Sequence, residues 1–293
     1  MNDDTVMDAL LRLDAWLPPE MAERAESIGV RKAGLDLWAM LVLGVLAGAF
    51  IGLGALFATT VTASPLPYGV NRLVGGLAFC LGLILVVVAG AELFTGNNLI
   101  VMAWANGKVT TAQLLRSWMV VYAGNFIGAT ATAGLVFLSK QYAFGGGAVG
   151  KNALIIAQNK CSLGLMESVT LGILCNALVC LAVWLSYSGR TTTDKIISII
   201  FPITAFVAAG FEHSVANMYF IPAGLLIKAY ARPEFWNLIH DSAGAYAALS
   251  WAGLCRNLVG VTLGNTLGGS VMVGLVYWFI YLRRASRVDT TTK

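Results

Sequence analysis

Charge is what this chain has least of. Only 12% of its 293 residues are Asp, Glu, Lys or Arg, against about 25% in soluble domains. So few charges cannot wet the surface of a soluble fold of this size, and an integral membrane protein is indicated. Histidine is nearly absent, with two in the chain. The five cysteines (Cys80, Cys161, Cys175, Cys180 and Cys255) form no Cys-x-x-Cys pair. They read as small buried hydrophobes rather than a metal site or disulfide framework, so no metal and no cofactor is expected. The formal charge of +4 is spread along the chain with no basic stripe interleaved with aromatics, which excludes nucleic acid as a partner. A signal peptide is not expected either, because Asp3, Asp4 and Asp8 precede any apolar run. No extramembrane stretch is long enough for a receptor domain.

What is present is apolar. Hydrophobic residues make up 58% of the chain, gathered into six segments at about Leu35–Val61, Leu73–Trp104, Trp118–Leu138, Gly164–Tyr187, Ile196–Leu226 and Asn257–Leu282. Ahead of them, Val6, Leu10, Leu13 and Leu17 fall at helical spacing before Pro18-Pro19. That pattern predicts a short amphipathic helix lying at the membrane surface or against the body. The expected fold is therefore an all-α membrane protein of six transmembrane helices. An N-terminal segment (1–34) precedes the six-helix transmembrane domain (35–283), and a short tail (284–293) follows it. Gly44, Gly48 and Gly52 share one face of the first segment and read as helix-packing positions.

Segments two and five are too long for single spans. Roughly 30 helical residues reach about 45 Å, whereas the hydrocarbon core is about 30 Å thick. Each carries Gly-x-Glu at mid-segment: Gly90-Ala91-Glu92 and Gly210-Phe211-Glu212. Segments three and six carry Gly-Asn-x-x-Gly at 124–128 and 264–268. Halves of three spans have opposite orientations, so the chain reads as an inverted 3+3 repeat with two broken helices, whose breaks meet near the midplane. Counting lysines and arginines puts twelve on the side of both termini. Seven (Arg72, Lys140, Lys151, Lys160, Lys228, Arg232 and Arg256) fall opposite, which makes the terminal side cytoplasmic.

The breaks carry the chemistry. Backbone that leaves the helix at membrane depth must be buried or line a cavity, and half-helix N-termini favour an anion. His213 stands at the second break, where an imidazole can donate a hydrogen bond or hand over a proton. Thr95 offers a hydroxyl at the first. Glu92 and Glu212 read as carboxylates that fix the loops by accepting orphan N–H groups, with direct ion or proton handling the alternative. Phe79, Leu83, Leu93, Phe94 and Phe206 lie on the two broken segments and are candidates for apolar constrictions. No catalytic residue is expected: an intramembrane enzyme needs a nucleophile–base pair or a metal cluster, and His240 lies in a polar connection away from His213.

Gly-Ala-Glu-Leu-Phe-Thr at 90–95, Gly-Asn at 124–125, Gly-Phe-Glu-His-Ser-Val-Ala-Asn-Met at 210–218 and Val-Thr-Leu-Gly-Asn at 261–265 resemble the formate/nitrite transporter family. The resemblance runs from Leu17-Pro18 to Tyr281-Leu282. It implies an aquaporin-like protomer, although the Asn-Pro-Ala boxes of aquaporins are absent, and a homopentamer with one pore per protomer. By the same resemblance His213 is the central pore histidine and Thr95 its hydrogen-bonding threonine. Phe79 and Phe206 match the outer constriction, Leu93 and Phe94 the inner one. Asn176 and Asn217 match polar residues near the histidine, and Lys160 a vestibule lysine that attracts anions. The segment before Pro18 corresponds to a mobile cytoplasmic element implicated in pH-dependent gating.

The stretches Ser186–Arg190, Ile221–Gly224 and Pro233–Trp236 look like formate channels, while Glu92–Gly96 and Val261–Leu267 look more like the nitrite branch. Cys161-Ser162 stands where formate channels often carry two histidines. The expectation is a pH-dependent channel for small monovalent anions of weak acids, formate first. Nitrite or hydrosulfide is the alternative, and a neutral-solute channel the remaining rival. A passive pore and proton coupling through His213 both stay open. The expected location is a bacterial inner membrane, with lipid around the protein; a soluble regulator is left unspecified.

Overall fold

In a computed structural model, which describes residues 14–283, every regular element is helical and no strand occurs among the described residues. Six helices are long and apolar enough to cross a membrane. Most of the amphipathic segment expected around 5–17 lies outside the described residues, as does the tail from 284 on. The first described helix begins at the proline pair: α1 spans Pro18–Ala33, because a first-turn proline has no N–H to leave unpaired. Met21, Ala22 and Ala25 bury one face of α1 in the main core. Residues 18–33 are therefore built into the body.

The first half continues with α2 (Leu37–Val61), α3 (Tyr68–Ile84) and the short α4 (Val101–Ala105), then α5 (Thr111–Leu138). The second half has α6 (Ala148–Ser162), α7 (Leu165–Ser188), α8 (Thr192–Ala209), α9 (Ser214–Tyr230), the short α10 (Pro233–Leu238) and α11 (Trp251–Thr266). Wider π-type turns prolong α3 to Gly90 and carry α11 on to Leu282. Sequence reading passed over α6 as a connection; it is a lateral helix, the counterpart of α1.

Small residues set the packing. α2 lies against α5, and α7 against α11. A Cβ added to Gly48 would strike the Asn125 backbone; one on Gly128 would strike the Val45 carbonyl, and one on Gly268 the Ile173 carbonyl. The assignment of Gly44, Gly48 and Gly52 to a packing face agrees with these contacts. Close approach of this kind suits a membrane, where association rests on van der Waals contact rather than on expelling water.

Both overlong segments break as the length argument requires. Gly90 (φ 87°) and Gly210 (φ 80°) take the left-handed conformation that only glycine adopts without a Cβ penalty. The next residues close the helix ends, with Ala91 N donating to Val86 O and Phe211 N to Phe206 O, each at 3.0 Å.

Candidate functional site

The chain leaves its helices in two short loops, 91–95 and 211–213; after Ala91 N and Phe211 N, which still reach back into their own helices, the backbone groups of Glu92, Phe94 and Glu212 find partners elsewhere. Two asparagines supply most of them. Asn125 Nδ2 donates to Gly44 O (2.8 Å) and Glu92 O (2.9 Å), and its Oδ1 accepts from Phe94 N (2.9 Å). Asn265 Nδ2 donates to Gly172 O (2.9 Å) and Glu212 O (2.9 Å), and its Oδ1 accepts from Ser214 N (2.9 Å). Glu92 N donates to Leu43 O at 3.2 Å, and Glu212 N to Leu171 O at 3.3 Å. Each Gly-Asn motif therefore clamps the loop of its own half.

The carboxylates follow the same symmetry. Glu92 accepts from Lys32 Nζ (2.9 Å) and Asn97 Nδ2 (2.7 Å). Glu212 accepts from Lys160 Nζ (2.8 Å) and Asn217 Nδ2 (2.6 Å). Lys32 comes from α1 and Lys160 from α6, so each lateral helix delivers one ammonium to one break. All four ionisable groups are matched, as buried charge requires.

His213 and Thr95 meet between the breaks, with Thr95 Oγ1 and His213 Nε2 2.9 Å apart. His213 also caps α9, its Nδ1 accepting from Ala216 N at 3.0 Å. A nitrogen that accepts carries no proton, so the neutral ring holds its hydrogen on Nε2 and donates it to Thr95 Oγ1. The threonine hydroxyl hydrogen is then available to an acceptor in the pathway. Protonating Nδ1 as well would break the cap and set a positive charge at a helix N-terminus.

Two cavities approach this pair. One, of about 410 Å³, is lined by Arg72, Lys160, Glu167, Glu212, His213 and the rings of Phe79 and Phe206. The other, about 390 Å³, opens on the face where α1 packs against the chain's last helical turns; Leu83, Leu93, Glu92 and Gly96 line its deep end. Phe79 and Phe206 meet edge to face at 5.6 Å between centroids, and Phe206 stacks on His213 at 6.0 Å. Thr95 is completely buried and His213 only 3% exposed. Moving these side chains is a requirement for any solute to pass.

The described chain is similar along nearly its whole length to known channels. The family model described as "Formate/nitrite transporter" matches residues 19–279. "Formate channel FocA" of Escherichia coli (strain K12) is 45% identical over 273 residues, covering 92% of this chain and 96% of that protein. A solved structure titled "Pentameric formate channel with formate bound" aligns with a TM-score of 0.80 and 44% identity, covering 84% of this chain and 98% of that one. Another, "FNT family ion channel", aligns at 0.74 with 31% identity, covering 89% and 98%. This chain belongs to the formate/nitrite transporter family. It is a multi-pass protein of a membrane transporter family, with six apolar helices.

His213 and Thr95 meet between the breaks, Phe206 and Phe79 stand beside the histidine on one cavity, and Leu93 and Leu83 line the other. Asn176 and Asn217 stand behind the His213–Thr95 pair: Asn176 Nδ2 donates to Thr95 O (3.2 Å) and Asn265 O (2.7 Å), whereas Asn217 bridges Glu212 and Asn257 (2.7 Å). Phe94 stands apart. Its ring packs edge-on to Trp118 and Tyr122, at 6.3 and 5.0 Å, away from the lining of either cavity. Lys160 does face a cavity, yet its charge is spoken for by Glu212 and it lies over the Phe220 ring at 5.2 Å.

Sequence reading missed Lys32, Asn97 and Arg72. Arg72 donates to Val207 O and Ala208 O, both at 2.8 Å, capping the C-terminus of α8 at the break. The signal for Lys32 was available, since it precedes its glutamate as Lys160 does; the different spacings hid it.

Proposed function

We propose that this protein is a formate channel, with the hydrogen-bonded Thr95–His213 pair as its selective centre. The pair carries the reading: two half-helix N-termini converge on it, Thr95 offers a hydroxyl hydrogen, and apolar side chains shut it off on either face. The curated relative and the formate-bound structure described above both support formate over nitrite. An anion leaving a wet cavity loses its hydration. At the centre it regains a hydrogen bond from Thr95 Oγ1, whose lone pair is held by His213 Nε2–H, and it feels the partial positive ends of both half-helices. Because Nδ1 is engaged by Ala216, the ring acts in this arrangement as a hydrogen-bond donor. Transferring a proton to formate requires the cap to open.

In this reading Phe79 and Phe206 form the outer constriction and Leu83 with Leu93 the inner one, while Phe94 supports the loop from behind. Glu92, Glu212, Asn176 and Asn217 hold the loops. Lys160, neutralised by Glu212, acts on the loop first and on the anion second. Transport, not catalysis, is the activity, and a homopentamer in a bacterial inner membrane with both termini cytoplasmic is the working form. Residues 35–283 form the channel proper, α1 completes its inner mouth, and 284–293 is a tail.

Formate and nitrite flux into proteoliposomes, measured in parallel across about pH 5 to 8, tests the assignment. Faster formate flux that depends on His213 supports it. Nitrite preference moves the protein to the other branch of the family, and water or glycerol flux without anion flux overturns it.

A further inference from the structure

The two mouths are electrically unequal. The cavity on the far face holds Arg72 and Lys160 against Glu167 and Glu212, so its lining charges cancel. The cavity on the terminal face holds Arg24, Arg31, Lys32 and Lys195 against Glu92 alone. Lys32 is paired with Glu92, and Arg24 lies over the Trp16 ring at 6.0 Å. Among the described residues, none of Arg24, Arg31 and Lys195 makes an ion pair. A net charge of about three thus stands in a cleft with apolar walls, which focuses the field.

Formate does not need this arrangement. About 390 Å³ is room for many formate ions, and a single negative charge answers only one of the three unmatched cations. The Boltzmann factor for an ion goes as the power of its charge. A potential that enriches a monovalent anion about threefold enriches a trivalent one about thirtyfold. The deep end of the cavity is closed by Leu83 and Leu93, each 2% exposed, so a bulky, highly charged ion that enters cannot continue.

We propose that the terminal-side cavity is a binding site for small organic anions bearing two or three negative charges, held by Arg24, Arg31 and Lys195, and that their occupancy blocks formate from that side. The proposal rests on the transport reading for its effect, though not for the binding itself. It gives the channel a means of sensing multiply charged metabolites on the face where α1 meets the last described helical turns.

Citrate, fully ionised near pH 7.5, is the probe. Formate flux is measured in membrane vesicles of each sidedness, with citrate on one side at a time and ionic strength held constant. Citrate binding to the full-length protein in detergent is measured by calorimetry. Half-block from the terminal face is expected at a concentration at least about tenfold below that from the far face. R31Q and K195Q should each raise it about tenfold relative to each variant's own unblocked flux, the scale of one charge-assisted contact. R72Q, in the far cavity, should leave terminal-side block in place. Equal block from both faces, block indifferent to R31Q and K195Q, or binding without block overturns the proposal. If formate flux were absent altogether, calorimetry would still decide the site. Citrate binding that weakens in R31Q supports it, and no binding overturns it.

Discussion

Replacing Asn265 tests whether the midplane loop is held by hydrogen bonds or by packing. Its side chain meets three backbone groups: Gly172 O, Glu212 O and Ser214 N, all at 2.9 Å. Gly172 O lies within α7, but Glu212 O and Ser214 N lie at the break. Asn265→Ala thus orphans two buried backbone groups, each worth about 1–3 kcal/mol, for a loss of about 2–6 kcal/mol. Asn265→Asp is nearly isosteric and keeps the acceptor for Ser214 N, but it turns oxygen toward two carbonyls at membrane depth. It should lose at least as much as the alanine variant. The same pair of substitutions at Asn125 should behave alike, since its three bonds match one for one. Equilibrium unfolding of the purified protein reads the loss directly, and formate flux should fall with it because the loop carries His213. An Asn265→Ala protein that loses less than about 1 kcal/mol and keeps its flux refutes the clamp. So does an aspartate variant more stable than the alanine one, which would show that shape alone is being measured.

Other outcomes are expected at the centre and its surroundings. His213→Phe removes both the Nε2 donor and the α9 cap, the latter alone worth about 1 kcal/mol; formate flux should drop about tenfold or more and lose its pH dependence, and unchanged pH-dependent uptake would sink the assigned role. Thr95→Val should cost about tenfold or more in flux, because one hydrogen bond to a charged group is worth about 1.5–3 kcal/mol. Thr95→Ser should stay within about threefold, and equal fluxes in the two variants would exclude the hydroxyl. Gly268→Val drives a side chain into the Ile173 carbonyl and should abolish folded protein on size exclusion, whereas Gly134→Val, with open space around it, should be tolerated. In the extramembrane connection, Ser242 N–H and then the Tyr246 hydroxyl hold the Asp241 carboxyl below the ordinary carboxylate range. A depressed value means that its contribution is fully present above that range and is lost only as pH falls through the lowered one. Asp241→Asn should therefore leave the shape of the flux profile between about pH 5 and 8 unchanged.

Much of the fold could be read from the chain itself. Scarce charge and six apolar runs required membrane spans, and two runs too long for the bilayer required breaks, which left-handed Gly90 and Gly210 provide. The Gly-x-Glu and Gly-Asn-x-x-Gly pairs disclosed the inverted repeat because the two halves solve the same problem with the same residues. Tertiary structure alone decided the rest. Lys32 and Lys160 are equivalent in space, but they lie 60 and 52 residues from their glutamates, across connections of different length. Phe94 N and Ser214 N are equivalent as well, and no side-chain comparison finds them, since what the repeat preserves there is an orphan backbone group. The proton on His213 was equally hidden: a local cap on Nδ1 and a partner 118 residues away on Nε2 fix it together. Phe94 shows the limit most plainly. Sequence places it beside Leu93, but Leu93 lines the cavity on the α1 side, whereas the Phe94 ring, at the turn that follows, packs edge-on to Trp118 and Tyr122 instead.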